Sequence, residues 1–293
     1  MNEVRMIAID MDGTLLNSHG GVSPRNIEAL HAAQASGVEV VIATGRRQSY
    51  AMPSLRGLAL NPASAIITSN GTVTRTIAAE LLDRTLLPLA TARRLCTHLR
   101  SFRNSLVLTF DLVGPDGDDR RGALVVEHLE ELHGSISRWM QANANYIAHI
   151  TPIEDALQGD APIQAMLCGT IARMQAAEEL LRDPSIAPEI EVHRTEYGER
   201  DLSIIDILPA GCSKGTALLR LAARREIDPA SIMAIGDNWN DLAMLQVAGH
   251  PVVMANASPG LYTLAQQQGW AITASNDDHG VAQAVERALR VTV

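Results

Sequence analysis

What most constrains the fold of this chain is a device that occurs twice, an apolar strand that breaks off directly into carboxylates. The first copy is Arg5-Met6-Ile7-Ala8-Ile9-Asp10-Met11-Asp12-Gly13-Thr14-Leu15. Side chains two apart on an extended segment point the same way, and carboxylates held close raise one another's pKa unless a cation neutralises them. A hard divalent ion answers that need, and Mg2+ favours one or two carboxylates plus a substrate phosphate. With Gly13 freeing the backbone to turn under a ligand, the segment points to a phosphoryl-transfer site built on an aspartate nucleophile. A calcium loop of the EF-hand kind is excluded. Counted from Asp10, Leu15 and Gly21 stand where that loop needs glycine and glutamate. A plain Asp-Gly turn at a strand end is the ordinary competitor.

The second copy weighs against that competitor. Ser231-Ile232-Met233-Ala234-Ile235-Gly236-Asp237-Asn238-Trp239-Asn240-Asp241 runs from a strand of the buried, parallel type into Gly-Asp, with another acid four residues on. In open α/β sheets ligands gather beyond the carboxyl ends of the strands, so two distant strand ends can serve one metal site.

Two further segments supply anion donors. The strand Val38-Glu39-Val40-Val41-Ile42-Ala43 stops at Thr44-Gly45-Arg46, a hydroxyl, a glycine amide and a guanidinium where a helix should begin. Gly211-Cys212-Ser213-Lys214-Gly215-Thr216 puts a lysine in the first turn of a helix running to Arg225. A cation there opposes the helix dipole, which a nearby anion would offset. The segment is not a Walker A loop, whose lysine follows a glycine directly. Taken alone, Lys214 reads as a solvated surface lysine.

Together the four segments resemble the four motifs of the haloacid dehalogenase superfamily, and more closely its Cof-type phosphatase branch with a type IIB cap. The likeness covers residues 4 to 75 and 205 to 290, with lesser echoes at Ser69-Asn70-Gly71, Ala255-Asn256-Ala257 and His279-Gly280-Val281. Ala255 departs from the branch, where glycine is usual. The resemblance implies a Mg2+-dependent phosphatase of small phosphorylated metabolites working through an aspartyl-phosphate. Asp10 would be the nucleophile and Asp12 the general acid and base. Asp10, the Asp12 carbonyl and Asp237 would hold the metal, with Asp241 either a ligand or just behind one. Met11, Thr44, Gly45, Arg46, Lys214 and Asn240 would meet the phosphate, although the Met11 side chain reads as core filler. Lys214 also belongs to the catalytic set. Arg47 and Asn70 are further candidates with ordinary structural uses. A phosphomutase using the same aspartate and a sugar-phosphate sensor without turnover are the rival readings.

The rest of the chain agrees. At 293 residues it exceeds what one core usually holds. Outer segments alternate strand and helix, implying a Rossmann-like, doubly wound parallel sheet. Its strands are expected near 5–10, 38–43, 65–69, 231–236, 251–254 and 270–273. Ser23-Pro24 and Ser258-Pro259 read as helix starts. Between about 86 and 208, helices near 89–103, 127–142 and 171–182 interleave with alternating stretches such as Glu189–His193 and Asp201–Ile204, which signals an α+β insert with one wet sheet face. Gly114-Pro115-Asp116-Gly117-Asp118 reads as a hairpin tip. The expected division is therefore 1–85 and 209–293 as core, 86–208 as a second domain. The resemblance makes that insert the cap, where His193, Arg194 and Arg200 could reach a leaving group.

The formal net charge of −9 argues against a nucleic-acid partner, which would need a basic stripe. Three cysteines without metal-ligand spacing suit reduced thiols in the cytoplasm. Asp10 interrupts the only early apolar run, so neither a leader nor a membrane segment is expected.

Overall fold

The computed structural model describes residues 3–114, 117–128, 132 and 134–291. By internal contact the chain divides into two units. One comprises 1–47, 51–83 and 213–293; the other comprises 48–50 and 84–212.

The first unit is built on an eight-stranded sheet. In chain order its strands are β1 (Met6–Asp10), β2 (Glu39–Ala43), β3 (Ala65–Thr68), β4 (Val73–Thr76), β5 (Leu81–Arg84), β12 (Ile232–Gly236), β13 (His250–Val253) and β14 (Ala271–Ile272), where β6 to β11 belong to the second unit. They lie in the order β14-β13-β12-β1-β2-β3-β4-β5. Pairing is parallel from β14 through β3 and turns antiparallel at β4. All six expected core strands are present, each within two residues at either end.

β1 is buried on both faces, which is why it reads as a continuous apolar run. Ile7 and Ile9 pack with α1 (Pro24–Ala35) and α9 (Gly280–Val291), while Met6 and Ala8 pack with α6 (Lys214–Arg224), α7 (Leu242–Val247) and α8 (Pro259–Gln268). Helices thus cover both faces, and the strand ends that carry the acids open at one edge of the sheet. α1 begins as expected, with the Ser23 hydroxyl accepting the Asn26 N–H at 3.2 Å and Pro24 in the first turn. At α8 the same residues are present, but Ser258 makes no capping bond.

α2 (Gln48–Leu55) follows β2. The second unit then holds α3 (Leu89–His98), β6 (Leu106–Thr109), β7 (Leu124–Val126), α4 (Ser137–Asn143), β8 (Ile147–His149), β9 (Gln164–Gly169), α5 (Ile171–Leu181), β10 (Ile190–Tyr197) and β11 (Leu202–Pro209). Its sheet runs β10-β11-β9-β6-β7-β8, antiparallel except between β7 and β8. α3 and α5 cover one face around Leu106, Leu167 and Ile205, and α4 packs near Val126 and Met166 on the other.

Two helix expectations need correction here. The helix from 89 stops at His98, and a 3-10 turn over Arg100–Ser105 takes its place. Of the helix expected over 127–142, the described residues show a 3-10 turn at Gly134–Ile136 and a helix over Ser137–Asn143, while residues 129–131 and 133 lie outside the described residues. Pro115 and Asp116 of the expected hairpin tip also lie outside them, while the flanking Val113 and Asp119 form an antiparallel bridge.

Candidate active site

The ends of β1 and β12 are neighbours in the sheet, paired from Met6 with Ile232 to Ile9 with Ile235. The two acid clusters, more than 220 residues apart in sequence, therefore meet. Asp10, Asp237 and Asp241 each offer a carboxylate oxygen within 4.8 Å of the others. Lys214 is fully buried, at 0% exposure, so the surface-lysine reading does not hold. Its Nζ donates to Asp10 Oδ1 at 2.5 Å and to Asp241 Oδ1 at 2.6 Å. Ser213 caps its helix in a reciprocal box with Thr216, which fixes where the first turn begins.

The charges do not balance. Among the described residues three carboxylates share one ammonium, so with all three ionised two negative charges would be left uncompensated in a buried site. Burial, then the Asp241 charge, hold the Asp10 carboxyl well above the ordinary range. The same causes push Asp237 up to about 7, partly offset by the Thr14 hydrogen bond. Burial works against the charged form of Lys214, but Asp10 and Asp241 outweigh it and raise the ammonium's pKa. A hard divalent cation fits an all-oxygen donor set with a surplus of negative charge.

Asp241 stands slightly apart from that role. Its Oδ1 accepts from Lys214, and its Oδ2 accepts the Asp237 and Asn238 N–H groups at 3.0 and 3.1 Å. These bonds shape the β12 loop and aim Asp237. Thr14, which no sequence argument singled out, donates its hydroxyl to Asp237 Oδ1 at 2.8 Å. Gly13 has φ +82°, and a methyl group there would lie 2.4 Å from an Asp237 carboxylate oxygen. Glycine is thus required both for the turn and for the approach of the two loops. Asn256 donates to the Gly13 carbonyl at 2.8 Å, and Asn276 donates to that of Leu16 at 2.9 Å, securing the loop from behind.

The anion donors gather beside the acids. Thr44 is buried at the end of β2, and its hydroxyl accepts the Arg46 N–H at 3.1 Å. Gly45 follows it in the same loop. Asn70, in the left-handed region with φ +53°, donates its N–H to the Thr44 carbonyl at 3.1 Å. Asn240 Nδ2 donates to Asn70 Oδ1 at 3.2 Å. Met11 is buried in the core beneath the loop, and Arg47 is the N-cap residue of α2. The guanidinium of Arg46, a residue expected to meet phosphate, lies on Asp12, with Nε and Nη2 at 2.8 and 2.5 Å from the two carboxylate oxygens.

His193, Arg194 and Arg200 belong to the second unit. His193 faces Asp206 in the β10–β11 register. Arg194 pairs with Glu178 at 2.9 Å and Glu196 at 3.5 Å, and Arg200 lies 6.0 Å from the Tyr197 ring centre. These contacts are within that unit.

A family model of haloacid dehalogenase-like hydrolases matches residues 7–285, nearly the whole chain. The chain belongs to the haloacid dehalogenase-like hydrolases. It is 32% identical, over 98% of each chain, to the protein named 5-amino-6-(5-phospho-D-ribitylamino)uracil phosphatase YwtE of Bacillus subtilis. It is 30% identical to Phosphatase YwpJ of the same organism, over 98% of this chain and 100% of that one. A solved haloacid dehalogenase-like hydrolase from B. subtilis superposes with a TM-score of 0.78 at 26% identity, covering 97% of this chain and 99% of the other. A solved subclass IIB sugar phosphatase shares the fold with a TM-score of 0.76 at 22% identity, over 97% of this chain and 98% of that one. The chain is therefore an enzyme, a phosphatase of this hydrolase family. No helix among the described residues is long and apolar enough to cross a membrane.

Proposed function

We propose that this enzyme is a cytoplasmic, Mg2+-dependent phosphatase that hydrolyses small phosphorylated metabolites through an aspartyl-phosphate on Asp10. The observation that carries this reading is the placement of Asp10, buried at the end of β1, 2.5 Å from Lys214 and within the cluster completed by Asp237. Relatives named for their substrates support the substrate class: YwtE, an HMP-PP phosphatase of Serratia proteamaculans and a pyridoxal phosphate phosphatase of Escherichia coli. All three cysteines are buried, which is consistent with thiols kept in a reducing compartment.

In the proposed reaction an Asp10 oxygen attacks phosphorus as the bond from phosphorus to the leaving oxygen breaks, which is nucleophilic catalysis by a carboxylate. Asp12 gives its proton to the leaving oxygen. It then takes a proton from water as the water oxygen bonds to phosphorus, releasing phosphate and regenerating Asp10. Lys214, the Thr44 hydroxyl, the Gly45 amide and Asn240 hold the phosphoryl oxygens, the stabilisation on which such transfers depend. Asp10, the Asp12 carbonyl and Asp237 would hold Mg2+, which when bound neutralises charge on the carboxylates and the phosphoryl group. Asp241 orients Asp237 and Lys214. The second unit is the proposed cap and carries substrate specificity.

A panel of sugar phosphates, pyridoxal phosphate and other metabolite monoesters, assayed with Mg2+ for phosphate release and ranked by kcat/KM, tests this reading. Mg2+-dependent release is expected, with Ca2+ inhibiting because it takes more ligands at longer distances. Full activity in chelator would overturn the metal site. Transfer between positions of one substrate without net release would make the enzyme a phosphomutase.

A further inference from the structure

Arg46 invites a different role from its neighbours. Its guanidinium presents two N–H groups to the two oxygens of Asp12, at 2.8 and 2.5 Å. The Asp12 side chain is 58% exposed and that of Arg46 only 19%. An ion pair with one partner this exposed contributes little to stability, so keeping the fold together does not account for it. What a bidentate fork supplies is direction. The planar guanidinium fixes the plane and the rotation of the carboxylate it grips, where an ammonium would not.

Arg46 is itself braced. Its N–H reaches the buried Thr44 hydroxyl at 3.1 Å, its carbonyl accepts the Ser69 N–H at 2.9 Å, and Nη1 lies 3.4 Å from the Ser54 hydroxyl on α2. Asp12 sits on a turn just beyond β1, with more than half of its side chain exposed. A group that passes a proton must lie within hydrogen-bond reach of the leaving oxygen, and an exposed aspartate free to rotate would spend much of its time elsewhere. A carboxylate has about four lone-pair sites, so Asp12 can keep the guanidinium on two of them and still face the leaving group.

We infer that Arg46 is a positioning residue that orients Asp12 for proton transfer, and that it is not a ligand of the phosphoryl group. The inference rests on the phosphatase reading above. It also divides substrates by leaving group. An alkyl phosphate leaves as a strongly basic alkoxide and needs the proton, whereas p-nitrophenyl phosphate leaves as a weakly basic phenolate and does not.

The test compares wild type with Arg46→Gln and Arg46→Lys, in Mg2+, on p-nitrophenyl phosphate and on the best alkyl phosphate of the panel, with inhibition by inorganic phosphate measured alongside. For both variants kcat/KM on the alkyl phosphate should fall by about 30- to 100-fold, within the range that acid–base catalysis supplies. The loss on p-nitrophenyl phosphate should stay below about threefold, as should any change in phosphate inhibition, because phosphoryl binding keeps its other donors. Lysine should not rescue, since it restores charge without the fork. Equal losses on both substrates with weakened phosphate inhibition, or recovery with lysine, would show a phosphoryl ligand and overturn the inference. So would variants that keep their alkyl phosphate turnover or exceed wild type. Turnover on p-nitrophenyl phosphate reports a folded site, so loss of the alkyl substrate alone is not unfolding. Wild type that releases phosphate from neither substrate would overturn the phosphatase reading and the inference with it.

Discussion

Lys214 touches two buried acids, Asp10 and Asp241, at once. Removing one partner of a buried ion pair costs roughly 3–5 kcal/mol, and the same ammonium is placed to meet the phosphoryl group. Lys214→Ala should therefore lower kcat/KM by about 100-fold or more on every substrate, activated or not, as loss of one preorganised donor does. It should also lower the thermal midpoint, which a melt measured beside the kinetics will show. Asp12→Asn differs in kind. Its kcat/KM, which reports the step that expels the leaving group, should fall by about 100- to 10,000-fold on alkyl phosphates and much less on p-nitrophenyl phosphate, with little loss of stability. Equal losses in kcat/KM on the two substrates would contradict the acid role. Single residues were readable in sequence where charge was placed against an apolar strand, as with Asp10 and Asp237, whereas Lys214 taken alone reads as a surface lysine. Thr14 was not, because a threonine after glycine looks like any turn residue until Asp237 arrives from 223 positions away. For the same reason the partner of Arg46 could not be named.

At the scale of elements, the turn Ser69–Gly71 is pressed against the start of α6. Gly71 has φ +103°, and a methyl group on it would lie 2.2 Å from the Ser213 carbonyl. Gly71→Ala combines left-handed strain, about 1–3 kcal/mol for a poorly populated backbone region, with a collision at the helix cap that precedes Lys214. The expected result is a destabilised protein whose kcat falls more than its KM rises, measured by chemical denaturation and steady-state kinetics. Wild-type stability and kcat would contradict the packing described. The parallel strands were readable because burial on both faces makes them continuous apolar runs. β4 was not, since Val73-Thr74-Arg75-Thr76 looks polar although all four residues are buried. Nor was β7, whose three residues Leu124–Val126 are too short to show a period. Within the helix expected over 127–142, the described stretch from Gly134 opens as a 3-10 turn before seven helical residues, a change of pitch that apolar spacing does not show.

For the whole molecule, the surplus of buried negative charge makes stability depend on pH and metal together. Asp237 titrates at about 7 in the folded protein, against about 3.9 for an unperturbed aspartate. Between those values the folded state keeps a proton that the unfolded chain has released, so this group's contribution to stability falls as pH rises through about 7. In chelator the melting midpoint should drop from pH 5.5 to pH 8. Mg2+ should raise it, and by more at pH 8, because a ligand that binds only the folded state stabilises it and competes with the proton. An equal Mg2+ effect at both pH values would count against the carboxylate site. The most direct measurement is chemical trapping of the phosphorylated residue. Wild type is mixed with its best substrate and Mg2+, quenched within one turnover, treated with borohydride to reduce any acyl phosphate to an alcohol, digested and sequenced by mass spectrometry. Conversion of Asp10 to homoserine, absent without substrate, is the expected result. Phosphate release with Asp10 left intact and another residue modified would contradict it.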